Sequence, residues 1–171
     1  MHRLRECVLL ASLGLACAPS GTASRGPGPG GLEVALPDLA GAIIRPVAAR
    51  ETDVFVLAFW ATWCQPCQQE LSQMNTTLDP YRARGLQVFA ISIDGPDTTA
   101  QVAPWVEREG YSFPVLLDRE TQVLSRYNPR GDIPYYVVLD ATGKVIDDHQ
   151  GYMAGDVQAL AAELDRLLPE S

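Results

Sequence analysis

The chain has 171 residues, of which 47% are hydrophobic, and this is enough for one globular domain with a substantial core. Its formal net charge at pH 7 is −8, from 21 acidic and 13 basic residues, and the basic residues form no cluster. Because nucleic-acid binding depends on basic patches that neutralise phosphates, this charge pattern excludes nucleic acid as an expected partner.

The N-terminal end of the chain has the pattern of an export signal. Two arginines precede an apolar run from Cys7 to Ala16, which has the length of a signal-peptide hydrophobic region and is too short for a stable membrane anchor. The residues that follow, 18–31, are rich in Gly, Pro and Ser and predict a flexible tether. We therefore expect a signal peptide at residues 1–16, a tether at 17–31 and a folded domain at 32–171.

Cys17 follows the apolar run directly, and more than one processing route is open. The segment Leu-Gly-Leu-Ala-Cys, residues 13–17, resembles a bacterial lipobox, although Gly14 stands where a leucine is usual. Otherwise, cleavage near Ala16 or Ala18 releases a soluble secreted protein, or the segment remains as an uncleaved anchor. We expect lipidation of Cys17, which anchors the chain to a membrane on the periplasmic side.

Strands and helices alternate along the rest of the domain. A mixed segment with short extended pieces comes first, at residues 32–50. The predicted elements after it are strand 54–60, helix 64–84, strand 86–93, helix 98–109, strand 113–117, helix 120–127, strands 135–139 and 144–149, and helix 156–168. The early strand–helix–strand units imply parallel pairing and the late hairpin adds antiparallel strands, so we expect an α/β fold with a central mixed sheet and helices on both faces.

The motif WCQPC, Trp63–Cys67, joins the first long strand to its helix. A cysteine pair with this spacing can close a disulfide or bind a metal, and its position at a helix N-terminus favours a redox-active dithiol. The partial positive charge of the helix end stabilises a thiolate at Cys64, which we predict to be the attacking sulfur. Cys67, one turn further, is expected to be more buried and to resolve the mixed disulfide. Pro66 suits the first helical turn, and the apolar ring of Trp63 flanks the pair.

Two simpler interpretations of the pair are a metal site and a structural disulfide. A zinc site needs about four ligands, and besides the pair the chain has only His2, in the signal, and His149, which is expected at the surface. A structural disulfide that closes so short a loop stabilises little. No metal and no cofactor are therefore expected.

The dipeptide Ile133-Pro134 stands directly before the predicted strand 135–139. A proline at the start of a strand is ordinary, but in a chain with a Cys-x-x-Cys motif it is a candidate cis proline beside the active site. A cis bond would direct the backbone of Ile133 at a bound substrate, where it could pair with an extended peptide.

Four segments together resemble a known family. They are FWATWCQPCQQEL (Phe59–Leu71), AISIDG (Ala90–Gly95), GDIPYYVVLDATGKVI (Gly131–Ile146) and GYM (Gly151–Met153). In this order, across about residues 32–168, they are similar to the thioredoxin superfamily, most closely to the TlpA/ResA-like group of exported thiol–disulfide oxidoreductases. The resemblance implies a thioredoxin-like fold with a strand–helix insertion, which residues 98–117 would supply.

The resemblance also implies roles for single residues. Cys64 matches the surface nucleophile, Cys67 its partner and Pro134 the cis proline of the family. Glu70 matches a glutamate that is linked to tuning the thiols, although a carboxylate near a helix N-terminus is also favourable by itself. Thioredoxins carry an aspartate where this chain has Ala58, so Glu70 is the nearby candidate for proton transfer.

The expected function is disulfide exchange with protein substrates outside the cytoplasm. The family precedent implies a membrane thiol relay as electron donor and a possible part in cytochrome c maturation. A copper-binding metallochaperone of similar fold is one alternative. Such proteins carry a CxxxC motif and a distant histidine, whereas this chain has CxxC. A thiol peroxidase is another, although the Pro-x-x-x-Thr-x-x-Cys pattern is absent and Thr62 stands only two residues before Cys64.

Overall fold

The computed structural model describes residue 32 and residues 34–170. The predicted signal peptide, the tether and Cys17 lie outside the described residues. Within residues 34–170, no helix combines the length and the apolar character that a membrane crossing requires.

The domain is built around a five-stranded mixed sheet with four α-helices. The strands are β1 (Leu36–Pro37), β2 (Ile43–Ile44), β3 (Val54–Trp60), β4 (Leu86–Ser92), β5 (Val115–Leu117), β6 (Tyr135–Leu139) and β7 (Val145–Gln150), and the helices are α1 (Gln65–Thr77), α2 (Val102–Glu109), α3 (Gln122–Tyr127) and α4 (Asp156–Leu167). The main sheet has the order β5-β4-β3-β6-β7, while β1 and β2 form a separate antiparallel pair. β4 runs parallel to β3 and β5, and β6 runs antiparallel to β3 and β7, as the alternation of elements predicts.

The central strand β3 supplies side chains to a hydrophobic core on each side of the sheet. Because successive side chains of a strand point to opposite faces, alternate residues of β3 enter different cores. Val56, Ala58 and Trp60 pack on the face that also holds Cys64 and helices α1 and α4. Phe55, Leu57 and Phe59 pack on the other face, against α3 and the N-terminal segment. Helices therefore cover both faces of the sheet, as expected.

The first helix is shorter than its sequence pattern predicts. α1 ends at Thr77, and residues Asp79–Arg84 form a separate 3₁₀ helix with Pro80 in its first turn. Pro80 has no N–H for an α-helical hydrogen bond, and its ring would collide with the carbonyl of the preceding turn. Gly85 ends the 3₁₀ helix at φ 112°, and a Cβ atom there would lie 2.7 Å from Oδ1 of Asp53.

The second helical region also divides in two. A 3₁₀ turn over Thr99–Gln101 precedes α2, and the side chain of Thr98 makes no capping hydrogen bond.

The start of α3 is fixed by the buried carboxylate of Asp118, which accepts hydrogen bonds from three backbone N–H groups. These groups are the unpaired donors of a helix N-terminus, so Asp118 has the capping role from outside the helix.

The register of the sheet brings three loops to one edge. Trp60, the last residue of β3, pairs with Ser92 at the end of the parallel β4. Phe59 pairs with Tyr135, which begins the antiparallel β6. The loop that carries the cysteines, the loop after β4 and the loop before β6 therefore meet at the carboxyl end of β3.

Candidate active site

The cysteine pair lies at the N-terminus of α1. Cys64 is the N-cap residue, and it forms a disulfide with Cys67 across Cα atoms 5.3 Å apart. The backbone N–H of Cys67 donates a hydrogen bond of 3.3 Å to Sγ of Cys64. Pro66 stands in the first turn, where its missing N–H removes no helical hydrogen bond. When the disulfide opens, the same helix end can stabilise a thiolate on Cys64.

The two cysteines differ in their access to solvent. Cys64 is 7% exposed and Cys67 is completely buried, so an incoming thiolate can approach only the sulfur of Cys64. The sequence predicts this order of burial, with Cys67 more buried than Cys64, although Cys64 is itself largely covered in the disulfide form. Trp63 beside it is 62% exposed, whereas Trp60 is buried in the core.

The loop before Cys64 is held by a buried aspartate that sequence reasoning missed. Asp94 is fully buried, and its carboxylate accepts hydrogen bonds from the backbone N–H of Thr62 at 2.9 Å and from its hydroxyl at 2.6 Å. The hydroxyl of Ser92 donates a third bond of 2.9 Å. The side chain of Gln68 adds a bond of 2.7 Å from α1 to the carbonyl of Thr62. Asp94 thereby ties the end of β4 to the loop that presents the cysteines.

We expect Asp94→Asn to destabilise the protein by about 3 kcal/mol, because an amide has one acceptor oxygen for three donors and hydrogen bonds to a buried charge contribute about 1.5 to 3 kcal/mol each. Urea unfolding measures the loss. Asp97→Asn is the matched control, since Asp97 is exposed in the same loop. Equal stability of the two variants would contradict the anchoring role of Asp94.

The Ile133–Pro134 peptide bond is cis, as predicted. Pro134 is buried and directly precedes β6, so it lies at the edge of the sheet from which the cysteine loop leaves β3. Ile133 is half-buried and packs against both hydrophobic cores, including the one that contains the cysteines.

Polar groups from two other segments hold the loop that contains Pro134. Its carbonyl accepts hydrogen bonds from the backbone N–H of Gly151 at 2.8 Å and from the side chain of Gln150 at 2.9 Å. The buried side chain of Asn128 donates to Gln150 and to the carbonyl of Asp132. No local sequence signal predicted these contacts, because they join residues up to 22 positions apart.

Glu70 lies on the buried face of α1, one turn after Cys67, and is 1% exposed. Burial and, to a smaller extent, the negative charge of Asp156 raise the pKa of Glu70 to about 8. Its Oε1 has no hydrogen-bond partner among the described residues. A group that titrates near neutral pH beside a buried thiol can accept or donate the proton of that thiol.

Ala58 occupies the position on β3 at which thioredoxins carry an aspartate. It is fully buried in the same core as Cys67. The buried carboxyl group on the same helix as Cys67 is therefore that of Glu70, and β3 contributes no carboxyl group to this core.

The arrangement defines a class of protein. A dithiol helix that follows the central strand, with a cis-proline loop at the same edge of a mixed sheet, is the arrangement of a thioredoxin-like protein. The chain belongs to the AhpC/TSA family, which matches residues 31–148.

Several relatives carry more specific names. The thiol-disulfide oxidoreductase ResA of Geobacillus kaustophilus is 37% identical over 110 residues, covering 64% of this chain and 61% of the relative. ResA of Halalkalibacterium halodurans is 31% identical over 118 residues, which cover 69% of this chain and 65% of that protein. The chain thus spans less than two thirds of the length of these curated relatives.

A solved structure agrees with the fold. The crystal structure of a putative thiol:disulfide interchange protein DsbE from Chlorobium tepidum superposes with a TM-score of 0.66 at 28% identity. The alignment covers 78% of this chain and 91% of that protein.

Proposed function

We propose that the protein is a thiol–disulfide oxidoreductase that exchanges disulfides with protein substrates through Cys64 and Cys67. The observation that carries this proposal is the disulfide at the N-terminus of α1, in which Cys64 retains a little exposed surface and Cys67 has none. The names of the ResA and DsbE relatives support the same activity.

The reduced protein would act in two exchange steps. The Cys64 thiolate attacks a substrate disulfide, which forms a mixed disulfide and releases one substrate thiolate. Cys67 then gives its proton to the carboxylate of Glu70 and attacks Sγ of Cys64. The second substrate thiolate leaves, and two electrons have passed from the protein to the substrate.

An external dithiol would regenerate the reduced pair. Its thiolate attacks Sγ of Cys64, and Cys67 leaves as a thiolate. At neutral pH Glu70 is mainly protonated, because its pKa is raised to about 8, and it can donate its proton to this buried thiolate. The second thiol of the donor then displaces Cys64, and the donor becomes a disulfide.

Four residues near the pair are proposed to contact the substrate. Trp63 and Pro66 are exposed on either side of Cys64 and form an apolar rim. Ile133 and Pro134 are proposed to align an extended substrate segment at the same edge of the sheet.

We also propose that the protein is exported. We propose that residues 1–16 are removed, that Cys17 carries a lipid anchor, and that residues 17–31 tether a domain that faces the periplasm. Reducing equivalents would then come from a membrane thiol relay, since thiols outside the cytoplasm are exposed to oxidation. Apocytochrome c cysteines are one candidate substrate class.

Neither alternative function has a specific observation in its favour. The hydroxyl of Thr62 donates to Asp94, so it is engaged away from the cysteine that a peroxidase would need it to assist. Nε2 of His149, a possible copper ligand, lies 3.0 Å from the carboxylate of Asp156. Within the described part of the chain, no three His, Cys, Asp or Glu side chains are grouped as a metal would require.

A redox titration tests the proposed function. In a variant with Cys7 and Cys17 replaced by serine, glutathione or dithiothreitol buffers should reduce the pair reversibly, with a midpoint between roughly −120 and −270 mV, the range of disulfide-exchanging proteins. Free thiols are counted after acid quenching and alkylation. A pair that stays oxidised below about −300 mV would behave as a structural disulfide and would contradict the proposal.

A further inference from the structure

A hydrogen-bonded carboxylate–imidazole pair lies at the start of α4. Oδ2 of Asp156 accepts a hydrogen bond of 2.5 Å from the backbone N–H of Met153 and lies 3.0 Å from Nε2 of His149. The Asp156 side chain is only 15% exposed. The pair therefore holds a largely buried negative charge in a fixed position.

His149 lies only partly at the surface, where the sequence predicts it. Its side chain is 33% exposed, and its ring stacks on Tyr136 with centroids 5.3 Å apart. His149 pairs with Tyr136 in the register of β6 and β7, so both side chains point to the face of the sheet that carries α1 and α4. Stacking on one side and Asp156 on the other fix the orientation of the imidazole.

Glu70 enters the same region from α1. The buried side of α1, which contains Cys67 and Glu70, packs against α4. Burial raises the pKa of the Tyr136 hydroxyl, and the charges of Asp147, Glu70 and Asp156 add to this effect, so both carboxyl groups act on one phenol. Besides the Cys64–Cys67 disulfide at the start of α1, the titratable groups of this region are Glu70 of α1, Tyr136 of β6, Asp147 and His149 of β7, Tyr152 of the following loop and Asp156 of α4.

We propose that Asp156, oriented by His149 and by the Met153 N–H, is a positioning residue that adds to the effect of burial in keeping the proton on Glu70, the proton donor for the Cys67 thiolate. This inference rests on the proposed role of Glu70 in disulfide exchange. Asp156 takes no part in bond formation and acts only through Glu70.

The physical reason is the repulsion between two negative charges in a region of low water content. A fixed carboxylate disfavours ionisation of a nearby carboxyl group, and the effect is largest where solvent does not screen it. Glu70 has no hydrogen-bond donor to its Oε1 among the described residues, so no hydrogen bond at this oxygen offsets the charge of Asp156.

The test compares Asp156→Asn with Asp148→Asn in the full chain. Asparagine keeps an oxygen that can accept from the Met153 N–H but removes the charge. Asp148 is the matched control, because it pairs with Val137 and lies on the opposite face of the sheet. If Asp156→Asn lowers thermal stability too far, Asp156→Ser is the second variant, since its hydroxyl can also accept from the Met153 N–H.

The first readout is the titration of the Glu70 carboxyl carbon by ¹³C NMR in the oxidised protein, with the resonance assigned by Glu70→Gln. We expect its midpoint to move to lower pH by roughly one unit in Asp156→Asn and to stay in place in Asp148→Asn. A midpoint that stays in place in Asp156→Asn, or that moves equally in both variants, would overturn the inference.

The second readout separates this inference from the proposed function. For the wild type and for Asp156→Asn, the rate at which dithiothreitol reduces the disulfide is measured against pH. Each rate is then divided by the rate for Glu70→Gln at the same pH. The ratio should fall as Glu70 ionises, at a lower pH in Asp156→Asn than in the wild type. A ratio of one at every pH refutes the role of Glu70 itself, whereas a falling ratio that Asp156→Asn does not move refutes only the role of Asp156.

Discussion

Replacing Cys64 with serine is expected to abolish disulfide exchange completely. Cys64 is the only residue of the pair with exposed surface, and Cys67 is fully buried, so we expect no other group of the site to form the mixed disulfide. A serine hydroxyl is a poor nucleophile towards sulfur and cannot form a disulfide with Cys67. The measurement is reduction of insulin by dithiothreitol, followed by the turbidity of the precipitating B chain.

The matched control for this variant is Cys17→Ser. It removes a thiol from the proposed tether and should leave the rate of insulin reduction unchanged. Activity of Cys64→Ser above the background rate of dithiothreitol alone would contradict the assignment of the nucleophile.

Replacing Glu70 with glutamine is expected to stabilise the oxidised protein at high pH by several kcal/mol. The pKa of Glu70 is raised from 4.5 to about 8, so the folded state holds a proton that the unfolded state has already lost across this interval. The free energy of unfolding of the wild type therefore falls as pH rises from about 4.5 to about 8. Below this range Glu70 has no effect on it, and above the range Glu70 lowers it by a constant amount. The full shift corresponds to roughly 5 kcal/mol.

The measurement is the free energy of urea unfolding from pH 4 to pH 9 for the wild type and Glu70→Gln, with the disulfide intact. The difference between them should grow with pH and level off above about 8. Glu107→Gln is the control, because Glu107 is exposed on α2 and its removal should leave the slope unchanged. Parallel curves for the wild type and Glu70→Gln would show that Glu70 does not titrate in the folded state as described.

Much of the fold could be predicted because its main signals are local. The apolar run of β3 identifies a strand buried on both faces, and the glycines and turn residues mark where strands and helices stop. The end of α1 was predicted wrongly although its signal, Pro80, is local too. The helical spacing of apolar residues continues through the 3₁₀ helix, so periodicity alone does not reveal the break.

The cysteines and Glu70 could be placed on one helical face because their spacing of three residues fixes it. The groups that hold the cysteines and Glu70 in place could not be predicted from the sequence. Asp94 reaches Thr62 across 32 positions, and the charge of Asp156 acts on Glu70 only because α4 packs on α1. In the sequence, Asp94 is an ordinary turn residue and His149 an ordinary strand residue. Their contacts depend on the order of strands in the sheet, which no local pattern encodes.

The central claim is that Cys64 forms the mixed disulfide and Cys67 resolves it. The most direct measurement uses reduced Cys67→Ala, which can form the mixed disulfide but cannot resolve it, incubated with oxidised insulin and analysed by intact mass. We predict a covalent adduct through Cys64 that dithiothreitol releases, and little or no adduct for the mirror variant Cys64→Ala, in which Cys67 remains buried. An equal yield of adduct from the two variants, or no adduct from Cys67→Ala, would contradict the account.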